Sequence, residues 1–245
     1  MVNPRNVTSP VSLVAHGRSG TTFITNVFRR HPDFRAIGET ANTVFATYRS
    51  LETSLPWTGP IRGRRPVEDA SRDAVHAMLF ELFGANMPRW FHKPIVVPTV
   101  TLSDEFPTHA EFCTWYWETF DRLFPDGMTF TVVRDPAETA RSSMIRWGGT
   151  LVETYARMER AFELVLHPRS RVAHVLEFEA LQSDPERFIR DLLAIADARF
   201  DQACLTAIDG RFAVNPKSSL PAPEWVAPRV AALYDELRSR AIRPL

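Results

Sequence analysis

Residues 11–28 limit the possible folds more than any other segment, because they combine a β-type run, a glycine-containing turn and a helical pattern. The apolar run 11–15 is typical of a buried strand, and the turn that follows it contains Gly17 and Gly20. Apolar residues then recur at helical spacing, as Phe23, Ile24, Val27 and Phe28. In a strand, tight turn and helix, the N–H groups of the turn and the positive end of the helix dipole converge on one point. The segment therefore predicts a site for phosphate or a similarly shaped anion.

The turn differs from the loop that holds nucleoside triphosphates, which reads G-x-x-x-x-G-K-[ST]. Ala15 occupies the position of the first glycine of that loop, and Thr21 follows Gly20 directly. The lysine that contacts the β- and γ-phosphates is therefore missing, and the cation of this turn is Arg18. Both observations argue against an enzyme that acts on a nucleoside triphosphate. A P-loop-type nucleotide kinase stays open as an alternative, as does a catalytically silent nucleotide-binding or partner-binding protein.

The segment Arg18-Ser19-Gly20-Thr21-Thr22 resembles the 5′-phosphosulfate loop of sulfotransferases that use 3′-phosphoadenosine 5′-phosphosulfate (PAPS). The resemblance implies that PAPS donates a sulfuryl group to an acceptor hydroxyl by in-line displacement, and that 3′,5′-diphosphoadenosine (PAP) is the product nucleotide. The residues that it implies in binding the 5′ end are Gly17, Arg18, Ser19, Gly20, Thr21 and Thr22. Negative charge grows on the departing 5′-phosphate, so we expect the loop amides and the Arg18 side chain to stabilise it during catalysis.

A second segment, 129–143, resembles the family motif in which a strand ends in arginine and a serine follows eight residues later. The resemblance implies that Arg134 and Ser142 hold the 3′-phosphate, the group that distinguishes PAPS from ordinary adenylates. The apolar first part of the segment is typical of a strand that is buried on both faces. Asp135-Pro136 then suits the N-cap and the first position of a helix, which places Arg134 at the carboxyl end of a strand.

Two further segments resemble the parts of the family that carry the chemistry. The residues around Glu39 resemble the catalytic glutamate segment of the branch with tyrosylprotein and many bacterial sulfotransferases, so Glu39 is the candidate general base for the acceptor hydroxyl. Residues 90–94 resemble the W-x-x-K-x-P segment, without its usual threonine before the proline, and imply that Lys93 stabilises the transferring sulfonate. His92 is the alternative base, although the cytosolic branch has its histidine two residues after the lysine, where this chain has Ile95.

Three other features bear on the binding site. Lys217 and Ser218 stand where C-terminal residues close over the nucleotide in members of the family, so both are candidates for cofactor binding. The stretch Ser54–Pro66, which is rich in proline and arginine, is either a lid or a solvated surface loop. Trp115 and Trp117 lie off the apolar face of a helix, and one of them lines the acceptor pocket unless both pack in the core.

Strands alternate with helices along the chain, and the matched segments follow in order up to 176–186, which resembles the Y-E-x-L-x-x-D-P-E stretch of the family. The pattern predicts an α/β fold of three layers, similar to P-loop NTPases, in which a central parallel sheet of about five strands is flanked by helices. A length of 245 residues without a linker predicts a single sulfotransferase domain over residues 1–245.

Four predicted strands and helices surround the candidate catalytic residues Glu39 and Lys93. A strand over 34–37 delivers Glu39, and a helix follows over 40–51. A second helix covers 68–83, and a short strand over 95–97 comes after Lys93.

The composition limits the expected binding partners and the expected cellular compartment. Lysine plus arginine equals aspartate plus glutamate at 29 each, which gives no reason to expect nucleic acid or a membrane surface as a partner. The apolar stretches fall far short of the ~20 residues that cross a bilayer, and the N-terminus lacks the apolar region of a signal peptide, so we expect a cytoplasmic protein. Cys113 and Cys204 lack zinc-ligand spacing and are expected to be reduced, and the chemistry requires no metal. The acceptor is expected to be a small molecule or a sugar; its identity and the oligomeric state stay open.

Overall fold

A sheet of five parallel strands forms the centre of the computed structural model, which describes residues 5–57, 66–83, 89–97, 102–208 and 220–241. The strands are β1 (Val11–His16), β2 (Phe34–Glu39), β3 (Arg89–Val97), β4 (Met128–Val133) and β5 (Val172–Glu177). Their order across the sheet is β2-β3-β1-β4-β5. The two strands on one side of β1 thus precede, in sequence, the two strands on its other side. The predicted central parallel sheet of about five strands is confirmed.

Helices connect the strands and cover both faces of the sheet. They are α1 (Arg5–Thr8), α2 (Thr21–Arg30), α3 (Ala46–Ser54), α4 (Val67–Phe83), α5 (His109–Leu123), α6 (Pro136–Trp147), α7 (Leu151–Leu166), α8 (Phe178–Ser183), α9 (Pro185–Ile195) and α10 (Pro228–Ser239). Side chains of β1 alternate between the two faces: Leu13 and Ala15 join a hydrophobic cluster with α2 and α9, whereas Val14 joins a cluster with α5, α7 and α10. The three-layer α/β architecture is thereby confirmed.

Polar side chains fix where four of these helices begin. A side-chain oxygen of the residue before the helix accepts a hydrogen bond from the N–H of the third helical residue, which satisfies one of the donors that a helix N-terminus leaves unpaired. The capping residues are Thr108 for α5, Asp135 for α6, Thr150 for α7 and Asp184 for α9. The helix start predicted at Asp135 is confirmed.

Two local predictions differ from the structure. Strand β3 begins at Arg89, six residues before the predicted start, because pairing with β1 and β2 on either side extends it over residues 89–94. Lys93 therefore lies within this strand. The helix predicted over 40–51 starts as a π-helical segment, Ala41–Phe45, and only then becomes α3.

The remaining predictions concern surface and core residues. Trp117 is fully buried, and its indole N–H donates to the carbonyl oxygen of Leu164, so it packs in the core and does not line a pocket. Cys113 and Cys204 are buried and free, as expected. The interpretation of Ser54–Pro66 as a loop falls largely on residues 58–65, which lie outside the described ranges. None of the described helices combines the length and the hydropathy needed to cross a membrane.

Candidate active site

The turn between β1 and α2 has a left-handed backbone at two positions. Arg18 has a φ of 71° and Gly20 has a φ of 97°. Glycine adopts this region readily, whereas an arginine there is strained, and such residues persist where the surrounding structure holds them, often at functional sites. The Ser19 hydroxyl donates a hydrogen bond of 2.6 Å to the carbonyl oxygen of His16, which closes the turn. The chain thus reverses direction within a few residues and enters α2 at Thr21.

The N-terminus of α2 differs from those of α5, α6, α7 and α9. Its N-cap residue is Gly20, which has no side chain to accept a hydrogen bond, and its first turn contains no acidic residue. The first N–H groups of a helix have no partner within the helix, and the helix dipole adds positive potential there. The start of α2 therefore lacks a side-chain cap and a nearby acid, as the predicted anion site requires.

Two arginines and a serine converge beside this helix start, and we call them the basic cluster. The Arg18 side chain donates through Nε to Ser142 Oγ at 3.0 Å. Arg134 donates through Nη1 to the Arg18 carbonyl oxygen at 3.3 Å. The contact arises because β1 and β4 are neighbours in the sheet, so the turn after one strand meets the residue that follows the other. Residues that lie 116 to 124 positions apart in sequence are thereby brought together.

The electrostatics of the basic cluster favour an anion. Burial lowers the pKa of Arg18, and the positive charges of Arg146 and Arg134 lower it further. Burial also lowers the pKa of Arg134, against the opposing effect of Glu138, whose carboxylate lies 3.4 Å from Arg134 Nη2 and also contacts Arg141. Guanidinium groups stay protonated in proteins, so these shifts express chiefly the cost of burying the two cations, to which repulsion from Arg146 and Arg134 adds at Arg18. A bound phosphate would reduce that cost.

A cavity of about 270 Å³ opens beside the basic cluster. Its lining residues are Arg18, Gly20, Thr21, Thr22, Phe23, Asn26, Arg134 and Phe178. The ring of Phe178 lies beneath the Arg134 guanidinium, with 4.7 Å from Cζ to the ring centroid. Phe178 was not among the predicted site residues, although its place in the stretch 176–186, directly after a strand, was an available signal. Its ring is a flat apolar surface next to two cations, which suits a nucleotide.

Glu39 and Lys93 form a second group, on the other side of β1. Their residues pair across β2 and β3, and Lys93 Nζ lies 3.4 Å from Glu39 Oε1. The lysine side chain is only 9% exposed, whereas that of Glu39 is 43% exposed. Burial of an ammonium group is tolerated when a carboxylate lies beside it. The glutamate is thus the partner of Lys93 that reaches solvent.

The Glu39–Lys93 pair lies beside the middle of β1, below the turn. In the pairing of β1 with β3, Ser12 faces His92 and Val14 faces Ile95, so Lys93 stands near the level of Leu13. With a rise of about 3.3 Å per residue, the pair is displaced by roughly 10 Å from the end of β1 along the strand. The basic cluster and the ion pair are therefore two separate groups on neighbouring strands.

His92 is not placed to act as the alternative base. It is fully buried, and both ring nitrogens are occupied, by Ser12 Oγ at 2.8 Å and by Thr40 Oγ1 at 2.7 Å. Burial lowers the pKa of His92 to about 3. A second buried histidine, His16, uses Nδ1 to donate to the Gly17 carbonyl oxygen at 2.6 Å, and burial lowers its pKa to about 4. Both imidazoles are neutral at physiological pH.

The other candidates complete the description of the site. Thr22 is exposed at the first turn of α2, whereas Gly17, Ser19 and Thr21 are buried. Lys217 and Ser218 lie outside the described residues. Within the described part of the chain, histidine, cysteine, aspartate and glutamate nowhere form a group of three or more that could hold a metal ion.

Solved structures with a similar fold are bacterial sulfotransferases and sulfotransferase domains. The sulfotransferase STF9 from Mycobacterium avium has 14% sequence identity and a TM-score of 0.56, over 95% of this chain and 76% of that one. The sulfotransferase domain of the Synechococcus PCC 7002 olefin synthase has 14% identity and a TM-score of 0.56, over 94% of each chain. The sulfotransferase domain from the Curacin biosynthetic pathway has 13% identity and the same TM-score, over 96% of this chain and 99% of that one. At these identities the likeness establishes the fold.

Sequence comparison establishes the family. No curated protein sequence matches the chain. The model of the sulfotransferase family matches residues 10–202, which is well over half of the 245 residues and includes both the basic cluster and the Glu39–Lys93 pair. The chain therefore belongs to the sulfotransferase family.

Proposed function

We propose that this protein transfers the sulfuryl group of PAPS to a hydroxyl of a small-molecule or sugar acceptor. The observation that carries the proposal is the basic cluster, in which Arg18, Arg134 and Ser142 meet beside the uncapped start of α2. Two anionic ends of one nucleotide fit this arrangement, because it combines helix N–H donors with two crowded guanidinium groups.

The residues of the cluster would divide between the two ends of the nucleotide. The amides of residues 17–22 and the Arg18 side chain would bind the 5′-phosphate, whose negative charge increases as the sulfuryl group leaves. Arg134 and Ser142 would bind the 3′-phosphate, and Phe178 offers its ring beside them. PAPS itself supplies the activated sulfuryl group. Lys217 and Ser218 are proposed to close over the nucleotide.

The Glu39–Lys93 pair would act on the acceptor. An attacking hydroxyl must lose its proton, and the partly exposed carboxylate of Glu39 would accept it, a contribution of roughly 10²–10⁴ in rate. Lys93 would orient Glu39 before transfer and offset negative charge on the transferring sulfonate. The interval between the pair and the basic cluster is where we propose that the hydroxyl and the sulfuryl group meet.

Transfer from labelled PAPS to a panel of alcohols, phenols and sugars tests the proposal. We expect the wild type to label at least one acceptor, and Glu39→Gln to lower kcat by roughly 10²-fold or more while the Kd of PAP stays unchanged. Glu177→Gln is the matched control, since Glu177 also ends a strand and pairs with a cation, Arg238, at 3.1 Å. We expect that variant to keep wild-type activity.

The outcomes separate the proposed roles. Full activity of Glu39→Gln would exclude Glu39 as the base. Tight binding of PAP without transfer to any acceptor would favour the catalytically silent nucleotide-binding protein. Absence of PAP binding would overturn the proposal as a whole.

A further inference from the structure

His92 joins three segments that the sheet brings side by side. Its ring lies in the interior of the protein between Ser12 of β1 and Thr40, the residue that follows Glu39. A neutral imidazole has one N–H donor and one acceptor nitrogen, so with these two hydroxyl partners it makes one hydrogen bond in each direction. Each contact is short, at 2.8 and 2.7 Å, and both are shielded from water.

The pairing of the strands is irregular at the level of His92 in the sheet. The register of β1 with β3 shifts between Ser12 and Val14, and the register of β2 with β3 shifts between Ala36 and Glu39. Pro94 adds to the interruption because it has no backbone N–H to donate. Register shifts of this kind bend a strand and redirect a side chain, and they occur preferentially next to active sites.

Side-chain hydrogen bonds hold the strands where the regular ladder fails. The N–H of Thr40 donates to the Lys93 carbonyl oxygen at 3.0 Å, which is a backbone link between the two strands beyond Glu39. The Thr40 hydroxyl bonded to His92 is a second link at the same residue. Thr40 is thus attached to β3 by its backbone and by its side chain, directly after the candidate base.

We infer that His92 is a positioning residue, which holds Thr40 and through it fixes the Glu39 carboxylate against Lys93. The inference deepens the proposed function, because the catalytic consequence requires Glu39 to be the base. The structural consequence does not depend on catalysis: loss of the Thr40 hydroxyl should separate Glu39 from Lys93. A displacement of about 1 Å at a reacting group can lower the rate by roughly 10²-fold, so a loosened pair should affect kcat strongly.

Three variants test the inference without removing the histidine. Thr40→Val keeps the shape of the side chain and deletes its hydroxyl, Thr40→Ser keeps the hydroxyl, and Ser12→Ala deletes the hydroxyl on the opposite side of His92. We expect Thr40→Val to lower kcat by roughly 10–100-fold with KM and the Kd of PAP unchanged. Thr40→Ser should restore kcat, and Ser12→Ala should change it by less than about threefold although it also removes one buried hydrogen bond.

Crystal structures of the same variants give a readout that does not depend on turnover. In Thr40→Val the distance from Glu39 Oε1 to Lys93 Nζ should exceed about 4 Å, the limit of an ion pair, whereas Thr40→Ser and Ser12→Ala should retain the 3.4 Å of the wild type. If the wild type transfers no sulfuryl group, the proposed function fails and these distances still decide the inference. Equal losses of kcat in Thr40→Val and Ser12→Ala, or an intact pair in Thr40→Val, would overturn it.

Discussion

Arg18 is the residue in which local strain and ligand chemistry meet most directly. Its backbone adopts a φ of 71°, which costs an arginine roughly 1–3 kcal/mol. The cost is offset by contacts that hold the turn: Ser19 binds the His16 carbonyl oxygen, and Arg134 binds the carbonyl oxygen of Arg18 itself. The strained conformation directs the Arg18 side chain to Ser142, so the residue that departs from ordinary geometry is the one that links the two halves of the basic cluster.

The buried histidines predict how stability depends on pH. Burial lowers the pKa of His16 to about 4, below its ordinary value of 6.5, so the unfolded state binds more protons between these two values. The stabilisation is therefore complete above pH 6.5 and decreases as the pH falls towards 4. In His16→Asn, where the amide can still donate to the Gly17 carbonyl oxygen, this dependence should be absent.

Urea unfolding of the wild type and of His16→Asn at two pH values measures the effect. Between about pH 7.5 and about pH 5, the free energy of unfolding of the wild type should fall by about 2 kcal/mol more than that of the variant. Parallel pH profiles for the two proteins would mean that His16 is protonated or solvated in the folded state.

Helix α2 begins at a glycine that provides no side-chain cap, as a helix that binds an anion at its N-terminus requires. Helices α5, α6, α7 and α9 each follow a threonine or aspartate whose side chain accepts a hydrogen bond from one of the first N–H groups. Gly20 leaves those groups of α2 free of a side-chain cap, and its φ of 97° turns the chain sharply into the helix. The lack of a side chain also allows Phe178 to pack directly against the turn.

Gly20→Ala should therefore be costly for two separable reasons. A Cβ atom at this position would lie 2.5 Å from a ring carbon of Phe178, and the left-handed backbone adds roughly 1–2 kcal/mol of strain. We expect a loss of stability of roughly 2–4 kcal/mol in urea unfolding. In a Phe178→Ala background the same substitution should cost only the backbone part, about 1–2 kcal/mol.

Gly38→Ala is the control for this measurement. An added Cβ at Gly38 meets no heavy atom within 4 Å, and its backbone is not left-handed, so the change in stability should stay within about 0.5 kcal/mol. An equal cost of Gly20→Ala with and without Phe178 would show that the ring does not constrain the turn.

At the scale of the whole molecule, parallel strand order accounts for what the sequence could predict. The family resemblance of the segments around Arg18 and Arg134 predicted one shared nucleotide site, and the fold brings the two residues into contact because the carboxyl ends of parallel strands share one edge. The position of Lys93 was not predictable in this way, because its strand is defined by pairing with two distant segments and by register shifts that no local pattern reveals. For the same reason the sequence did not reveal that His92, the alternative base, is buried and hydrogen-bonded to two hydroxyl groups.

Ligand binding should stabilise the whole fold if the basic cluster takes PAP. A ligand present at about 100 times its Kd adds about 2.7 kcal/mol to the free energy of unfolding, which corresponds to a rise in Tm of roughly 5–10 °C for a chain of this size. We expect this rise with PAP in a thermal melt, and a smaller one with ATP and Mg²⁺ at equal concentration.

Two arginine variants test whether the rise in Tm with PAP comes from binding at the basic cluster. Arg134→Met should lose most of the rise in Tm. Arg169→Met should keep it, because Arg169, which precedes β5, forms an exposed ion pair with Glu118 of α5 outside the basic cluster. A larger rise with ATP and Mg²⁺ than with PAP would favour the nucleotide kinase over the sulfotransferase.

The sheet order also bears on how such proteins diversify. The Glu39–Lys93 pair belongs to β2 and β3, whereas the basic cluster follows β1 and β4, so the two groups stand on different halves of the sheet and meet only across β1. Exchanging residues 34–97 with the corresponding segment of a relative should thus transplant one group while the other keeps its framework. If the Glu39–Lys93 pair acts on the acceptor as proposed, such an exchange would replace the residues that act on the hydroxyl and leave those of the nucleotide site unchanged.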